Sequence, residues 1–441
     1  MSKLNRPADH SVRTHEGAPA VANLTAEQLL RRSVMACLLW EDQFYEDGHS
    51  IADRIVENAR KVDPYYLADL AKEVRHRANL RHAPLLLLDV LSEPKKMDVP
   101  SLVADTIYNV ISRPDELAEF LAVYWRNGRK SVSHQIRLGL GKAFGKFSEY
   151  SLAKYDRDGA IKLRDVMRIC HPKPVDEAKA ALYKKVLDRT LTTPDTWEVA
   201  LSGGADKKET FERLIREGNL GYFALIRNLR NMEKAGCDRN LVIPAITARK
   251  NGADKILPFR FVAAARAAPS FEAALDEALI ATLAEAEKFE GKTAILVDIS
   301  GSMNHPLSGK SEMQRMDAAA ALAALFPADR KNVRIFSFSS DVKEVPNRVG
   351  MAGVDAIVKS QYHGGTNLGQ AVKYINTLDY DRLIVVSDEQ THDRVEPKGK
   401  VNYMINVGSY RNGVGYNGKW THLDGFSDGV FKWMKEYEQT E

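Results

Sequence analysis

Asp298, Ser300 and Ser302 stand at alternate positions in Ala294–Met303, A-I-L-V-D-I-S-G-S-M, where an apolar run ends in a carboxylate and two hydroxyls. Gly301 keeps the connecting loop pliable. Two more oxygen donors lie downstream. Thr366 sits in Gly364-Gly365-Thr366-Asn367, and Asp388 follows the run Leu383-Ile384-Val385-Val386-Ser387. Oxygen-only donors suit a hard divalent cation, and Mg²⁺ takes octahedral oxygen coordination while keeping several waters beside one or two carboxylates. The local alternative is a capped turn, in which Ser and Asp side chains bond nearby backbone N–H groups. The later Gly-Gly-Thr and Val-Val-Ser-Asp argue against that alternative.

The elements that must carry these residues are legible from the texture of the chain after about residue 291. β-branched runs predict strands at 292–299, 333–339, 342–345, 382–387, 401–407 and 420–423. Helical spacing predicts helices at 313–326, 351–360, 367–377 and 426–438. Such alternation gives a mainly parallel sheet covered on both faces, with ligands gathered at the carboxyl ends of its strands. Asp298 and Asp388 both fall at such ends. Asp-x-Ser-x-Ser, then Thr, then Asp, in this order, resembles the metal-ion-dependent adhesion site of von Willebrand factor A domains. The resemblance implies an α/β, Rossmann-like A domain over 291–441. It implies Mg²⁺ held by Asp298, Ser300, Ser302, Thr366 and Asp388, with one position open to an acidic group of a partner.

From about Leu24 to Glu290 the pattern is helical almost throughout. Thr25-Ala26-Glu27-Gln28 opens the first helix as a capping box. Helical segments follow at roughly 49–60, 64–77, 82–93, 99–110, 114–124, 131–147, 159–169, 175–189, 194–201, 207–216, 220–234, 239–249 and 269–287, with short Pro- or Gly-marked links. Consecutive helices with short connections predict paired, stacked helices of the α-solenoid kind. No literal repeat period is visible. The polar segment 1–22 predicts a disordered lead-in without the apolar core of a signal peptide.

The formal net charge is only +4, but residues 126–173 hold twelve Lys or Arg against four acids, an excess of eight. That bias suggests a polyanion partner, against the plainer reading of a solvated helix face.

Within and beyond that stretch, several segments resemble the TROVE module of the Ro ribonucleoprotein family. They are Lys154-Tyr155, Met167-Arg168-Ile169-Cys170-His171-Pro172-Lys173-Pro174, Thr196-Trp197-Glu198, Leu220–Arg230 and Ile256-Leu257-Pro258-Phe259-Arg260-Phe261. A TROVE module followed by an A domain is the Ro architecture, bacterial Ro-like proteins being the nearest category. The resemblance implies a HEAT-like helical ring over 23–290. It implies binding of small structured noncoding RNA of the Y type and of single-stranded 3′ ends of misfolded RNA, with an exoribonuclease as a further partner. Lys154 and His171 match family positions that contribute to RNA binding. A third, basic family position falls on Asp158, with Arg157 beside it as a substitute.

Arg137, Lys142, Lys146, Arg227 and Arg230 complete the expected RNA contacts. Arg227 and Arg230 share a helix face, although pairing with acids of neighbouring helices would explain them as well. His171, read without the resemblance, is a helix-end cap before Pro172. Trp197 and Tyr222 read as core aromatics.

Cys37, Cys170 and Cys237 form no C-x-x-C pair, which argues against a disulfide frame or zinc site and fits a reducing cytoplasm. Cys170 beside His171 is expected to be a small buried residue and not a nucleophile, because neighbours on one element do not face each other. No apolar run reaches 18 residues, so no membrane span is expected. There is no G-x-x-x-x-G-K-[ST] for nucleotide chemistry. The expectation is therefore a cytoplasmic, non-catalytic RNA-binding protein, monomeric when free of RNA. The alternative is a Mg²⁺-dependent protein-interaction module on a helical scaffold.

Overall fold

The computed structural model describes residues 25–35, 48–77, 80–93, 99–156, 158–253, 256, 258–307, 313–391, 393, 396–408, 419–424 and 429–440. The expected lead-in, Cys37 and Arg157 lie outside them. The chain divides into two compact units. One is residues 51–253. The other joins residues 254–441 to residues 1–50, which include α1 (Ala26–Met35).

The 51–253 unit is built from α2 (Gly48–Ala59), α3 (Pro64–His76), α4 (His82–Leu91), α5 (Leu102–Val110), α6 (Pro114–Tyr124), α7 (His134–Phe144), α8 (Glu149–Tyr155), α9 (Leu163–Cys170), α10 (Glu177–Asp188), α11 (Trp197–Ser202), α12 (Lys207–Arg216), α13 (Tyr222–Lys234) and α14 (Arg239–Thr247). Side-chain oxygens of Asp63, Ser133, Ser148, Asp176, Thr196, Asp206 and Asp238 cap the helices that follow them, each satisfying an N–H that the first turn leaves over. One such cap corrects the sequence reading. The helix expected over 131–147 spans only His134–Phe144, because Ser133 caps its start and Gly145 is its C-cap, and Ser148 then begins α8, where no helix was expected.

Helices α3, α5, α7 and α9 pack in succession, and α4 packs on α6, so alternate helices make layers. α4 is buried from Ala83 to Leu91 and apolar there except for Asp89, which Arg126 and Lys130 pair. Glu116 of α6 is fully buried but well satisfied. It pairs with Arg75 of α3 at 2.7 Å and accepts from the N–H groups of Ser112 and Arg113.

Among its described residues the second unit carries α15 (Phe259–Ala267), α16 (Glu272–Ala284), β1 (Thr293–Asp298), α17 (Arg315–Ala324), β2 (Val333–Phe338), β3 (Val342–Val345), α18 (Gly350–Val358), α19 (Leu368–Ile375), β4 (Arg382–Ser387), β5 (Val401–Asn406), β6 (Thr421–Asp424) and α20 (Gly429–Thr440). α15 was not legible, since no side chain caps its start. α15 and α16 precede the boundary expected near 290, yet they pack with α17 and α18. The guanidinium of Arg266 reinforces this packing through Asp355 at 2.7 Å and Asp317 at 3.5 Å.

The sheet order is β3-β2-β1-β4-β5-β6, parallel except for the edge strand β3. β1 and β4 are buried at every position, as expected of strands covered on both faces. On one face Leu296, Phe336, Val385 and Met404 meet Leu368, Val372 and Ile375 of α19. On the other lies α17, whose buried run Ala318–Ala321 lets helix and sheet approach closely. The chain moves from β1 to β2 on one side and places β4 on the other. Loops leaving β1 and β4 therefore diverge, which opens a crevice at their carboxyl ends.

Helix approach in the first unit is testable. A Cβ on Gly139 of α7 would sit 2.8 Å from Ala104 O and from Ile107 Cβ of α5, whereas one on Gly141 would keep 3.4 Å from its nearest neighbour. Gly139→Ala is expected to cost about 1–3 kcal/mol by overpacking, read as a lowered denaturant midpoint. Gly141→Ala is expected to be neutral or slightly stabilising, as for a helical glycine with room for a methyl.

Candidate metal centre and candidate RNA-binding surface

β1 ends in Asp298, and the adjacent β4 ends in Ser387, with Val297 opposite Val386. Ser387 Oγ donates to Asp298 Oδ2 at 2.7 Å, and Ser300 N donates to Asp298 Oδ1 at 2.9 Å. Each carboxylate oxygen keeps a further lone pair for a ligand. The hydroxyls of Ser300 and Ser302 converge to 3.3 Å. Gly301 N bonds Gly364 O at 3.0 Å, which ties this loop to the one bearing Thr366. Thr391 Oγ1 bonds Thr366 O at 2.9 Å, tying that loop in turn to the segment after β4.

Asp388 is fully buried, and its Oδ1 accepts from Gln390 N at 3.2 Å. Gly408, just beyond β5, is held so close that an added Cβ would lie 2.6 Å from Asp388 Cβ. The five sequence-predicted metal residues thus sit on three loops joined by hydrogen bonds, at the crevice the topology creates.

Burial, and next the neighbouring Asp388, push the Asp298 carboxyl up to about 7. Two carboxylates that raise each other's affinity for a proton also favour a cation. Among the described residues there is no group of three or more His, Cys, Asp or Glu placed to hold a metal. The donors are two carboxylates and the hydroxyls of Ser300, Ser302 and Thr366, a set that fits a hard cation such as Mg²⁺ better than a soft one.

The sequence reading missed the second layer. Arg315 at the start of α17 is fully buried with its Nη1 3.9 Å from Asp388 Oδ2. Glu389 is fully buried at φ 58 and faces His422 Nδ1 at 3.0 Å. Ser387 had a signal, its place before Asp388. Arg315 had none.

The basic residues fare unevenly. Arg137 of α7 is exposed. Lys142 pairs with Asp105 at 3.0 Å. The Lys146 ammonium donates to the carbonyls of Tyr108 and Ile111, and burial lowers its pKa to about 8. Lys154 is half-buried in the last turn of α8. His171 caps α9 in the left-handed region, at φ 46, with an exposed side chain. Its backbone therefore does the capping, and the ring stays available to solvent. Asp158 holds Lys162 at 2.7 Å and Arg189 at 2.9 Å.

Arg227 and Arg230 lie on the exposed face of α13 with Phe223 and Lys234, at spacings of four, three and four. Arg168 was also passed over. It lines a cleft of about 520 Å³ with Trp125, Arg129, Ile161, Asp165 and Ile169. The only sign in the sequence was the spacing of Trp125 and Arg129, which stack at 5.0 Å.

Tyr222 is a core residue whose hydroxyl donates to Ile246 O at 2.6 Å, and Trp197 stacks on Phe211. Cys170 is buried and its thiol pushed up to about 12 by desolvation, so it holds no thiolate at neutral pH. Among the described residues no helix is long and apolar enough to cross a membrane.

Residues 188–307 match the family model of the TROVE domain. The match runs from the end of α10 through α13 and β1 to the loop carrying Ser300 and Ser302. The fold is similar to the crystal structure of the Deinococcus radiodurans Ro (RSR) protein, with a TM-score of 0.62 at 18% identity, over 95% of this chain and 100% of that one.

The raised affinity of Asp298 for a proton has a definite sign. Metal-free folded protein binds that proton more tightly than unfolded protein, so its stability falls as pH rises from the ordinary carboxylate range through about 7. In chelator, the melting temperature is expected to drop between about pH 5 and pH 8, and Mg²⁺ is expected to raise it more at the higher pH. Asp298→Asn is expected to abolish the Mg²⁺ response and flatten this part of the pH profile. Thermal melts with and without Mg²⁺ check both.

Proposed function

We propose that this chain, which carries a TROVE domain and the Ro fold, is an RNA-binding protein of noncoding-RNA quality control or processing and not an enzyme. It takes small structured noncoding RNA of the Y type and single-stranded 3′ ends of misfolded RNA. It works in the cytoplasm as a monomer until RNA joins it, and it passes bound ends to an exoribonuclease or withholds them. The observation that carries this reading is the exposed stripe Phe223, Arg227, Arg230 and Lys234 on α13, inside the segment matched to the TROVE domain. Cations at helical spacing grip successive phosphates, and an aromatic ring among them offers a base a stacking surface. His171, Arg168 and Lys173 form a second exposed basic group around the end of α9. The successive packing of α3, α5, α7 and α9 supports a HEAT-like α-solenoid as the frame of these surfaces.

In this reading the α/β unit is a von Willebrand factor A domain, with Asp298, Ser300, Ser302, Thr366 and Asp388 as the residues that hold Mg²⁺. The cation would supply a Lewis-acidic point for an acidic group of a protein partner. The hydrogen-bonded meeting of the three loops favours this second role, capture of a partner, alongside RNA binding. Asp298→Ala separates the two, since it is expected to remove partner capture and leave RNA binding intact.

Purified protein and a hairpin bearing a 3′ single-stranded tail provide the test, by gel shift across salt. Binding is expected to weaken by orders of magnitude between about 50 and 200 mM salt. Arg227→Ala with Arg230→Ala is expected to reduce the salt slope by about 1 to 2 and weaken binding to the tail across all sequences. Negligible, salt-insensitive affinity of the unaltered protein overturns the reading.

Asp158 gives the opposite sign. It occupies Lys162 and Arg189 as a phosphate would, so Asp158→Asn is expected to tighten hairpin binding and steepen the salt slope by about 1.

A further inference from the structure

Arg315 is the first residue of α17, and none of its surface reaches solvent. A guanidinium taken out of water costs several kcal/mol unless charge partners repay it. The start of the helix does not account for the burial. Gln314 and Asp317 supply the capping box of α17, and the Arg315 N–H is spent on His305 O at 3.0 Å. The side chain instead reaches the carboxyl ends of the strands, where its Nη1 lies 3.9 Å from Asp388 Oδ2. Asp388 and Asp298 are both fully buried, and each is held by hydrogen bonds from the protein. Glu389, the other buried acid there, already faces His422.

We infer that Arg315 is the resident counter-ion of Asp388, the carboxylate beside Asp298: it lets Asp388 stay buried and charged without a divalent cation, and it weakens the affinity of the shared pocket for one. The inference rests on reading that pocket as a divalent-cation site. Two ionised carboxylates carry two negative charges, and a divalent cation alone would balance them. With Arg315 in place one of those charges is already met, so an arriving dication brings an excess of one positive charge into a buried site. Like charges at a few ångströms in a protein interior repel by some kcal/mol. The arginine is thus a positioning residue. It faces Asp388 and sets the threshold for the cation without ligating it.

The experiment compares the full-length protein with Arg315→Met and Arg315→Lys, using Mg²⁺ in thermal melts and Mn²⁺ binding followed by electron paramagnetic resonance. In chelator, Arg315→Met is expected to melt below the unaltered protein. Mg²⁺ is expected to restore it with a larger gain than the unaltered protein shows, and Mn²⁺ affinity is expected to tighten by about tenfold or more. Arg315→Lys, which keeps a cation there, is expected to resemble the unaltered protein. An Arg315→Met protein that binds Mn²⁺ no more tightly, or that stays unfolded even in saturating Mg²⁺, overturns the inference, because the arginine would then serve packing. An unaltered protein with no response to either cation overturns the metal reading itself and this inference with it.

Discussion

Two carboxylates, Asp298 and Asp388, are buried without any exposed surface at the ends of adjoining strands, and the α/β unit is arranged to make that bearable. An isolated ionised carboxylate cannot remain in such a place. Asp298 is met by Ser387 Oγ from β4 and by the N–H of Ser300 two residues on, and Asp388 by the N–H of Gln390 two residues on. Gly408 has no side chain because β5 must end against Asp388. The strand order dictates where this happens. Among the described strands, successive connections run to opposite sides between β1 and β4, so there the loops part enough to leave room for a ligand.

Much of this was legible from residue types alone. β1 and β4 are continuous apolar runs because parallel strands are covered twice, and each run ends abruptly in polar residues. That contrast located both strands and their carboxyl ends. The three-loop meeting point was inferable from order and spacing. Its second layer was not. Arg315 is thirteen positions beyond Ser302, and an arginine at the head of a helix reads as solvated. His422 and Glu389 are 33 residues apart and meet only because β6 lies beside β5. Pairings of that kind are written in tertiary contacts, which a linear pattern does not encode.

Helix boundaries failed for a local reason. Over 131–147 the apolar spacing runs on at both ends, yet Ser133 accepts from Ile136 N and caps α7 at its start, and Gly145 ends it. A hydroxyl that can serve either as an interior residue or as a cap is resolved by the packing around it. α15 was missed from the other direction, with helical composition but no capping side chain to announce it.

The basic stretch shows how a charge count differs from a charged surface. Residues 126–173 carry an excess of eight positive charges in the sequence. In the fold Arg126 and Lys130 are drawn to the buried Asp89, Lys142 to Asp105 and Lys162 to Asp158. Lys146 is consumed by two carbonyls at the end of α5. Cations engaged in this way must break an existing contact before they can meet a phosphate, and part of what a new contact gains is lost in doing so. Arg137, Arg168, Lys173 and the α13 stripe stand exposed on helix faces or beside helix ends, where a phosphate strand can reach them. A polyanion approaching this unit therefore meets local basic stripes and not a uniform field. Acids shape that pattern too: the exposed Asp158 sits between Lys162 and Arg189, as the buried Asp89 sits between Arg126 and Lys130.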